Sequence, residues 1–367
     1  MPQLFLGNFG FEEDLAGQPP TRSVAIARLE AELAVCWLAV ARDGDRICLD
    51  ADVPEAFPAE VERQLGVSVS FVRPDECTAD KGIELIPWGW TERVLQWGQR
   101  RGYGMDAPPI ATVRAVNSRR FSFELERSWG KGLDRAAALT SLREVETFAS
   151  GMLAKDRWVL KGEFGHAARD RLRVRGSELP GTSRGWIASR LKRDGILFAE
   201  PWVESIEEAG LQWTVPRSGP PVLEGVTTLE VDASGQYRGS RISATADPPD
   251  VWRDAVDVGR RAALAAQVQG YFGPLGIDAM RYRRADGTVG LRALQDINGR
   301  WTMGRLALGW RRLLGPGETG FWQHLRKVST ESPAADAPDG RVLPTSPTLI
   351  DGRMVSYFTQ LILSRAR

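Results

Sequence analysis

Along the chain, apolar residues alternate with polar ones in some short segments and recur at helical spacing in others. The first part of the chain combines both patterns, with an apolar segment at 3–10, helical spacing at 22–41, the helix-like stretch PAEVERQLG at 58–66 and a helix at 90–102. Strands and helices that follow one another in this way are typical of a small α/β domain. We expect this domain to end near the prolines at 108 and 109.

Two further units follow these prolines. The first has predicted helices at 119–128 and 138–150, a strand at 157–164, a polar loop, a helix at 186–195 and a strand at 196–204. The second has predicted strands at 211–216, 222–232 and 236–243, a helix at 250–270 capped by Asp250, and a helix at 303–314. The predicted domains are therefore 1–110, 111–204 and 205–328. The remainder, 329–367, combines a loose surface segment at 329–347 with an apolar closing helix or strand.

The segment between the last two of these helices has the most informative pattern. Strands at 275–284 and 288–297 are joined by the turn RADG, whose Asp-Gly pair is a strong hairpin signal. Because strand side chains alternate between faces, Asp296 and Asn298 share one face, and the hairpin can bring Asp278 beside them. Two carboxylates and an amide oxygen form the kind of site that Mg²⁺ prefers. The same stretch also suits an Asx-type turn that caps the helix beginning near Thr302, and the pattern leaves both interpretations open.

Two other segments carry candidate binding residues, one for a phosphate and the other for a purine ring. Lys161 ends an apolar strand and opens a loop with small residues, which suits either a phosphate ligand or a lysine whose stem lies along the surface. The strand ILFAEPWVE breaks at Glu200-Pro201, and proline removes a backbone donor, so we expect an edge strand or a hinge rather than a central strand. A hinge flanked by Trp202 and Val203 has free backbone groups for the edge of a purine.

Composition limits the classes of partner and compartment. The 367 residues carry a formal net charge of +1, which gives no reason to expect a nucleic acid or a membrane as partner. The three cysteines lack metal-type spacing and only two histidines accompany them, so we expect neither a zinc site nor a disulfide framework, and a cytoplasmic location fits best. The 13 tryptophans are interpreted as packing anchors at subdomain junctions, with ligand stacking as the alternative.

The order of these features resembles the ATP-grasp superfamily. A lysine-ended strand, a loop of small residues, a strand with a Glu-x-x-Val hinge, a long helix and a hairpin with Asp and Asp-x-Asn follow one another between about 110 and 315. The resemblance implies an ATP-grasp fold of the α/β class, with two α+β lobes behind an N-terminal α/β domain. Three features depart from the family's pattern: Asp296 stands where Glu is usual, Arg119 stands where Lys is usual, and the loop after Lys161 has few glycines.

The resemblance also implies roles for individual residues. The residues that match the family's ligands of Mg²⁺ are Asp278, Asp296 and Asn298. Mn²⁺ is a substitute for Mg²⁺ at such a site. The cationic residues that match family residues near the nucleotide phosphates or the bound intermediate are Arg119, Lys161 and Arg300. Of these, Lys161 and Arg300 are the implied catalytic residues. Three residues match the adenine hinge: Glu200, Trp202 and Val203. Glu207 lies at the distance of a ribose-binding residue, although a different alignment places Gln212 there.

The activity implied by the resemblance is that of an ATP- and Mg²⁺-dependent ligase. Such an enzyme phosphorylates a carboxylic acid with ATP to an acyl phosphate, from which an amine or a thiol displaces phosphate. The expected partners are ATP, a small carboxylic acid and an amine. The alternatives are a kinase of the same fold, a nucleotide-binding regulatory module without turnover, and an α/β protein unrelated to ATP. The sequence indicates neither the substrates nor the oligomeric state.

Overall fold

The structure is a computed structural model that describes residues 1–17, 23–78, 80–165, 170–232, 236–326 and 340–365. Residues 166–169 of the polar loop and 329–339 of the predicted loose segment lie outside the described residues. Within the described part of the chain, four β-sheets and the helices packed against them form a mixed α/β architecture. No helix in that part is long and apolar enough to cross a membrane.

The N-terminal unit combines strands and helices, as predicted, and its sheet is parallel. Its strands are β1 (Gln3–Leu6), β2 (Arg46–Cys48), β3 (Ser70–Val72) and β4 (Glu84–Pro87), and its helices are α1 (Phe11–Leu15), α2 (Val24–Ala34), α3 (Phe57–Leu65) and α4 (Glu92–Arg101). The strand order is β3-β2-β1-β4. Because parallel strands end at the same edge, the loops after β1 and β4 lie side by side, and Asn8 Nδ2 donates to the carbonyl of Gly89 at 2.8 Å.

A small antiparallel sheet follows. Its strands are β5 (Ala137–Leu139), β6 (Arg157–Lys161), β7 (Arg171–Arg175) and β8 (Leu197–Pro201), and the helices of this part are α5 (Ile110–Asn117), α6 (Arg119–Trp129), α7 (Leu142–Ser150) and α8 (Gly181–Asp194). The order β5-β8-β6-β7 makes β8 an interior strand, so the prediction of an edge strand is wrong. Pro201 is the last residue of β8, where the missing N–H costs little. The helix predicted at 138–150 begins only at Leu142, because β5 precedes it.

The largest sheet has eight antiparallel strands among the described residues. The remaining strands of the chain are β9 (Glu204–Val215), β10 (Val222–Val231), β11 (Tyr237–Ser243), β12 (Gly273–Arg283), β13 (Val289–Asn298), β14 (Glu318–Arg326), β15 (Arg341–Pro344), β16 (Leu349–Ile350), β17 (Arg353–Met354) and β18 (Tyr357–Arg365). The order is β13-β12-β9-β10-β11-β14-β18-β15, while β16 and β17 form a separate ribbon. The closing element of the chain is thus a strand, and part of the predicted loose segment, β15, pairs with it. The limits predicted for the domains, at residues 110, 204 and 328, remain predictions.

Two helices, α9 (Arg253–Val268) and α10 (Met303–Gly309), accompany the large sheet. Helix α9 buries one face of small and apolar residues: Ala255, Val256, Val258, Gly259, Ala262, Ala263 and Ala266. This face lies against β9 and β13. The cap prediction is wrong, because Asp250 lies in a 3₁₀ turn before α9 and pairs with Arg253 at 2.7 Å.

Tryptophans join the N-terminal unit to the rest of the chain. Trp37, which is fully buried, stacks on Phe5 with ring centroids 4.8 Å apart. Its edge contacts are with Trp88, at 6.1 Å, and with Trp301, at 5.2 Å between centroids. Since Trp301 follows β13 directly, this cluster packs the N-terminal unit against the end of the hairpin formed by β12 and β13. For these residues, the interpretation as packing anchors at a junction is confirmed.

Candidate functional site

The three predicted metal ligands lie together at the end of the hairpin formed by β12 and β13. Asp278 pairs directly with Asp296 across the two strands, and Gly276 pairs with Asn298. Residues opposite each other in antiparallel strands point to the same side of the sheet, so the two carboxylates share one face. Asn298 joins them there, since its Nδ2 donates to Asp278 Oδ2 at 3.2 Å.

The helix after the hairpin is capped by a different residue. Thr302 is the N-cap of α10, and its hydroxyl accepts from the backbone N–H of Arg305 at 3.0 Å. The alternative interpretation of Asp296 and Asn298 as the helix cap is therefore wrong. The Thr302 hydroxyl also donates to Gln212 at 2.7 Å. Gln212 is only 2% exposed, so this residue, the alternative ribose ligand, bonds within the protein.

Asn117, the last residue of α5, fixes the turn between Asn298 and α10. Its side chain accepts from the N–H of Gly299 at 2.9 Å and donates to the carbonyl of the same residue at 3.2 Å. A Cβ at residue 299 would lie 2.8 Å from Asn117 Nδ2, so this approach requires glycine. The backbone directly after the predicted metal ligands is thereby held in place.

Arg119 joins the hairpin to the loop after Lys161. The guanidinium donates from Nη2 to Asp296 Oδ2 at 2.9 Å and from Nη1 to the carbonyl of Gly162 at 2.5 Å. Ser118, as N-cap of α6, sets the helix start from which this side chain projects. The predicted phosphate arginine and a predicted metal ligand are therefore in contact, in the cleft between the small sheet that carries β6 and the large sheet that carries β13.

The facing carboxylates lie in an environment that disfavours two negative charges. Burial, with the charges of Asp296 and Glu208, raises the pKa of Asp278 to about 7, although Arg300 opposes this shift. A cation between such carboxylates removes the repulsion, and two carboxylates with one amide oxygen fit a hard divalent ion that keeps water and phosphate oxygens as further ligands. Among the described residues, no group of three or more His, Cys, Asp or Glu side chains is arranged to hold a metal ion. A metal at this site therefore depends on Asn298 and on ligands from outside the protein.

The raised pKa of Asp278 predicts a pH-dependent stability. The ordinary pKa of an aspartate is about 4, so between about pH 4 and pH 7 the folded protein binds a proton at Asp278 that the unfolded chain has released. We expect the free energy of unfolding of the metal-free protein to fall as the pH rises through this window, and this group to add no further change above it. In a series of urea titrations, Asp278→Asn should remove this slope. A slope that the substitution leaves unchanged would assign the titration to another group.

A buried network of two cations and two carboxylates lies beside the predicted metal ligands. Lys161 Nζ donates to Glu200 Oε2 at 2.5 Å, and Arg292 donates to the same carboxylate at 3.0 Å from both Nη1 and Nη2. Arg292 also binds Glu126, at 2.8 Å from Nε and 2.7 Å from Nη2. The side chain of Lys161 is 17% exposed, and those of the other three are at most 4% exposed. The interpretation of Lys161 as a surface lysine is therefore wrong.

The charges of this network balance one another. Burial acts to raise the pKa of Glu200, but Arg292 and Lys161 outweigh it and hold that pKa well below its ordinary range. Burial lowers the pKa of Lys161, against the opposing charge of Glu200. Burial also raises the pKa of Glu126, with Arg292 opposing. Two positive and two negative groups thus share a volume from which water is largely excluded, and each depends on the others for its charge.

The hinge residues connect the small sheet to the large one. Trp202 and Val203 lie between the end of β8 and the start of β9. The N–H of Trp202 donates to the carbonyl of Arg157 at 2.7 Å, and the guanidinium carbon of Arg173 lies 4.2 Å from the centroid of the Trp202 ring. The third predicted hinge residue, Glu200, directs its side chain into the buried network.

The two adjacent acidic residues of β9 point to opposite faces of the large sheet. Glu208 pairs with Met280, which is two residues from Asp278 on β12, so Glu208 shares the face of the predicted metal ligands. Glu207 pairs with Arg281 and forms an ion pair with it at 2.9 Å on the other face. The structure thus places Glu208, and not the predicted Glu207, on the side of the cleft.

Arg300 lies at the junction with the N-terminal unit. Its Nε donates to Glu12 Oε1 at 2.7 Å, and its guanidinium carbon lies 5.3 Å from the centroid of the Trp88 ring. Glu12 is in α1, after β1, and Trp88 follows β4. The charge of Arg300 opposes the rise in the pKa of Asp278, so this arginine connects the N-terminal loops with the acidic end of the hairpin.

The sequence pattern did not single out three residues of this site: Glu126, Glu208 and Arg292. Arg292 interrupts the apolar run GLRAL, and an arginine among buried strand residues is a usable signal of an internal ion pair. Glu126 carries no such signal among the charged residues of α6. Glu208 differs from Glu207 only by strand register, which the sequence did not fix.

Several solved structures share this arrangement of sheets. The chain is similar to N5-carboxyaminoimidazole synthetase from Staphylococcus aureus complexed with ADP, with a TM-score of 0.53 and 10% identity over 100% of this chain and 92% of that chain. It is also similar to biotin carboxylase from Campylobacter jejuni in a β-γ-ATP complex, with a TM-score of 0.56 and 10% identity over 100% of this chain and 88% of that chain.

A third similar structure is the biotin carboxylase domain of the Hydrogenobacter thermophilus 2-oxoglutarate carboxylase, in complex with MgADP, ADP and bicarbonate. Its TM-score is 0.56 and its identity 12%, over 99% of this chain and 86% of that chain. No protein-family model and no curated protein matches the sequence. Identities this low relate the folds and leave the activity to the residues of the site. The chain has the ATP-grasp fold that its sequence predicted.

Proposed function

We propose that this protein is an ATP- and Mg²⁺-dependent ligase that joins a carboxylic acid to an amine or a thiol. The observation that carries the proposal is the convergence, in one cleft, of the acidic end of the hairpin with Arg119 and Lys161. Oxygen ligands for a divalent cation there adjoin cations suited to phosphate oxygens. The solved structures of the same fold with ADP, and with MgADP, support a nucleotide in this cleft.

In this proposal the site works by positioning and electrostatics. The cations that offset the charge developing during phosphoryl transfer are Lys161, Arg119 and Arg300. Arg300 acts from the side of the N-terminal loops. Three residues would hold Mg²⁺ or Mn²⁺, which would add positive charge at the phosphate oxygens: Asp278, Asp296 and Asn298. Three residues border the adenine: Glu200, Trp202 and Val203. We assign the ribose to Glu208, because Glu207 lies on the other face of β9.

The proposed reaction has two steps. A carboxylate oxygen of the acid attacks the γ-phosphorus of ATP, which forms an acyl phosphate and releases ADP. The amine nitrogen, or a thiol sulfur, then attacks the acyl carbon, phosphate leaves, and the nucleophile loses its proton. Neither step needs a covalent bond to a side chain, so the protein contributes by holding the reactants in line and by excluding water.

Product analysis tests this function. The protein is incubated with ATP, Mg²⁺ and a panel of carboxylic acids and amines, and nucleotides, phosphate and coupled products are quantified by chromatography and mass spectrometry. A ligase forms ADP, inorganic phosphate and a new amide in equal amounts, and omitting the amine should leave hydroxylamine-trappable acyl phosphate. ADP formed together with a phosphorylated alcohol would instead identify a kinase.

One observation favours a second candidate, a nucleotide-binding module without turnover. Each cation proposed to meet the nucleotide already has an internal carboxylate partner, as in the contacts of Lys161 with Glu200 and of Arg119 with Asp296. A module of this kind would show an increase in melting temperature with ATP·Mg²⁺ while no ADP forms with any acid and amine tested. The same assay therefore separates the two functions.

A further inference from the structure

We propose that Arg292 is a positioning residue that holds Glu200, and through it Lys161, in register with the hairpin that carries Asp296. This inference rests on the proposed function, because the ligand that Lys161 would meet is the nucleotide phosphate. Arg292 itself would touch neither nucleotide nor metal.

The contacts of Arg292 define one position for two carboxylates. Its guanidinium donates four hydrogen bonds of 2.7 to 3.0 Å, two to Glu126 and two to Glu200. Two-point contacts between an arginine and a carboxylate fix the orientation of both groups as well as their distance. With its side chain 3% exposed, Arg292 has no alternative partner in water. Glu200 therefore cannot change its position without breaking buried charge-assisted bonds.

The position of Glu200 in turn sets that of Lys161. The same oxygen, Glu200 Oε2, receives Arg292 Nη1 at 3.0 Å and Lys161 Nζ at 2.5 Å. Lys161 lies at the end of β6 in the small sheet, whereas Arg292 lies on β13, four residues before Asp296. The network thus couples the lysine on one side of the cleft to the strand that bears the acidic end on the other side.

Stability alone does not account for this arrangement. Buried ion pairs contribute little net stability, since the loss of hydration offsets their attraction, and apolar side chains of similar volume commonly serve as well. Glu126 would be enough to pair with Arg292. The second carboxylate and Lys161 extend the network to the cleft, where a lysine held at a fixed place can meet an incoming phosphate without first losing its side-chain freedom.

A charge-balanced double variant separates positioning from stability. Arg292→Met alone leaves two buried carboxylates that share one lysine, so we expect a clear fall in melting temperature. Arg292→Met combined with Glu126→Gln leaves Glu200 and Lys161 as a neutral pair, so most of the stability should return. We expect this double variant to bind ADP·Mg²⁺ about tenfold or more weakly by calorimetry, because Lys161 is then no longer held where it would make its charge-assisted contact with a phosphate.

The kinetic constants of the double variant should also show a loss of positioning rather than a loss of stability. We expect the KM for ATP to rise about tenfold or more in the double variant, while kcat changes less, since Arg292 acts through the placement of a binding group. Arg292→Lys keeps the charge but loses the two-point geometry, and we expect an intermediate affinity with a melting temperature near that of the wild type. If the double variant does not fold, Arg292→Lys carries the test. A charge-matched control, Arg241→Met with Glu230→Gln, removes an exposed ion pair of β10 and β11 and should bind as the wild type does.

Two outcomes would count against different claims. A folded double variant, or a folded Arg292→Lys variant, that binds ADP·Mg²⁺ with wild-type affinity overturns the positioning role. Absence of ADP·Mg²⁺ binding in the wild-type protein overturns the proposed function itself. Binding to the wild-type protein is therefore measured before any variant is compared.

Discussion

Replacement of Asp296 by asparagine is expected to reduce Mg²⁺-dependent ADP formation about a thousandfold or more, because the loss of a metal-held charge at the phosphates amounts to several kcal/mol. The amide has nearly the shape of the carboxylate but no charge. It therefore binds a hard cation weakly, and it exchanges the ion pair with Arg119 for a hydrogen bond from Arg119 to an uncharged acceptor. Initial rates at saturating ATP, measured over a Mg²⁺ series, check this expectation.

The fold should survive this substitution. Asp296 faces Asp278 directly, and removing one of two adjacent negative charges relieves their repulsion, so we expect no fall in melting temperature. Asp286→Asn is the matched control, because Asp286 lies in the turn of the same hairpin, where its side chain accepts from the N–H and the hydroxyl of Thr288. Full activity of the Asp296→Asn variant would rule out the metal assignment.

Replacement of Lys161 by methionine has the second largest expected effect. We expect the KM for ATP to rise about tenfold to hundredfold, in keeping with the roughly 1.5–3 kcal/mol that a charge-assisted contact contributes. Methionine retains the length of the buried stem but has no donor for a phosphate. Glu200 keeps the two hydrogen bonds from Arg292, so the protein should remain folded, with a lower melting temperature because two buried carboxylates then share one cation. Steady-state kinetics together with calorimetric titration of ADP·Mg²⁺ would measure the change.

The control for this variant is Lys155→Met. Lys155 is exposed two residues before β6 and should be replaceable without effect on nucleotide affinity. If Lys161→Met bound ADP·Mg²⁺ as tightly as the wild type, the lysine would serve only as a partner of Glu200, and the phosphates would have to be held by other residues.

Local patterns in the sequence predicted the acidic end of the hairpin well. Strand periodicity placed Asp296 and Asn298 on one face, and the Asp-Gly turn predicted the hairpin. A register shift between Asp278 and Met280 then brings Asp278 opposite Asp296. The stretch also suited a helix cap, and the structure assigns that role to Thr302. Here the chemistry depends on neighbours within one hairpin, which a sequence pattern can describe.

The errors arose where tertiary context decides. Pro201 was expected on an edge strand or at a hinge, but it ends an interior strand, where a missing donor is tolerated. Glu207 was predicted for the ribose, with Gln212 as the alternative, without knowledge of the register of β9, and a shift of one residue exchanges the two faces of a strand. Both predictions agreed with the local sequence, but placing these two residues required the order and register of the strands in the sheets.

The buried network was beyond the reach of sequence patterns. Glu126, Glu200 and Arg292 lie on a helix and two strands that are separated by many residues, and their contact depends on how both sheets pack. The same is true of Arg300 and Glu12, which are 288 positions apart. An interrupted apolar run can show that Arg292 needs a partner, but it cannot show which carboxylates supply it.

We expect one cleft to hold a nucleotide and a divalent cation between Lys161 and the acidic end of the hairpin. A crystal structure with a non-hydrolysable ATP analogue and Mn²⁺, in which anomalous scattering locates the ion, tests this arrangement. The expected result is an anomalous peak at about the 2.1 Å distance usual for such ions from oxygens of Asp296 and Asn298, with the terminal phosphates beside Lys161. A nucleotide bound elsewhere, or an ion held by other residues, would contradict it.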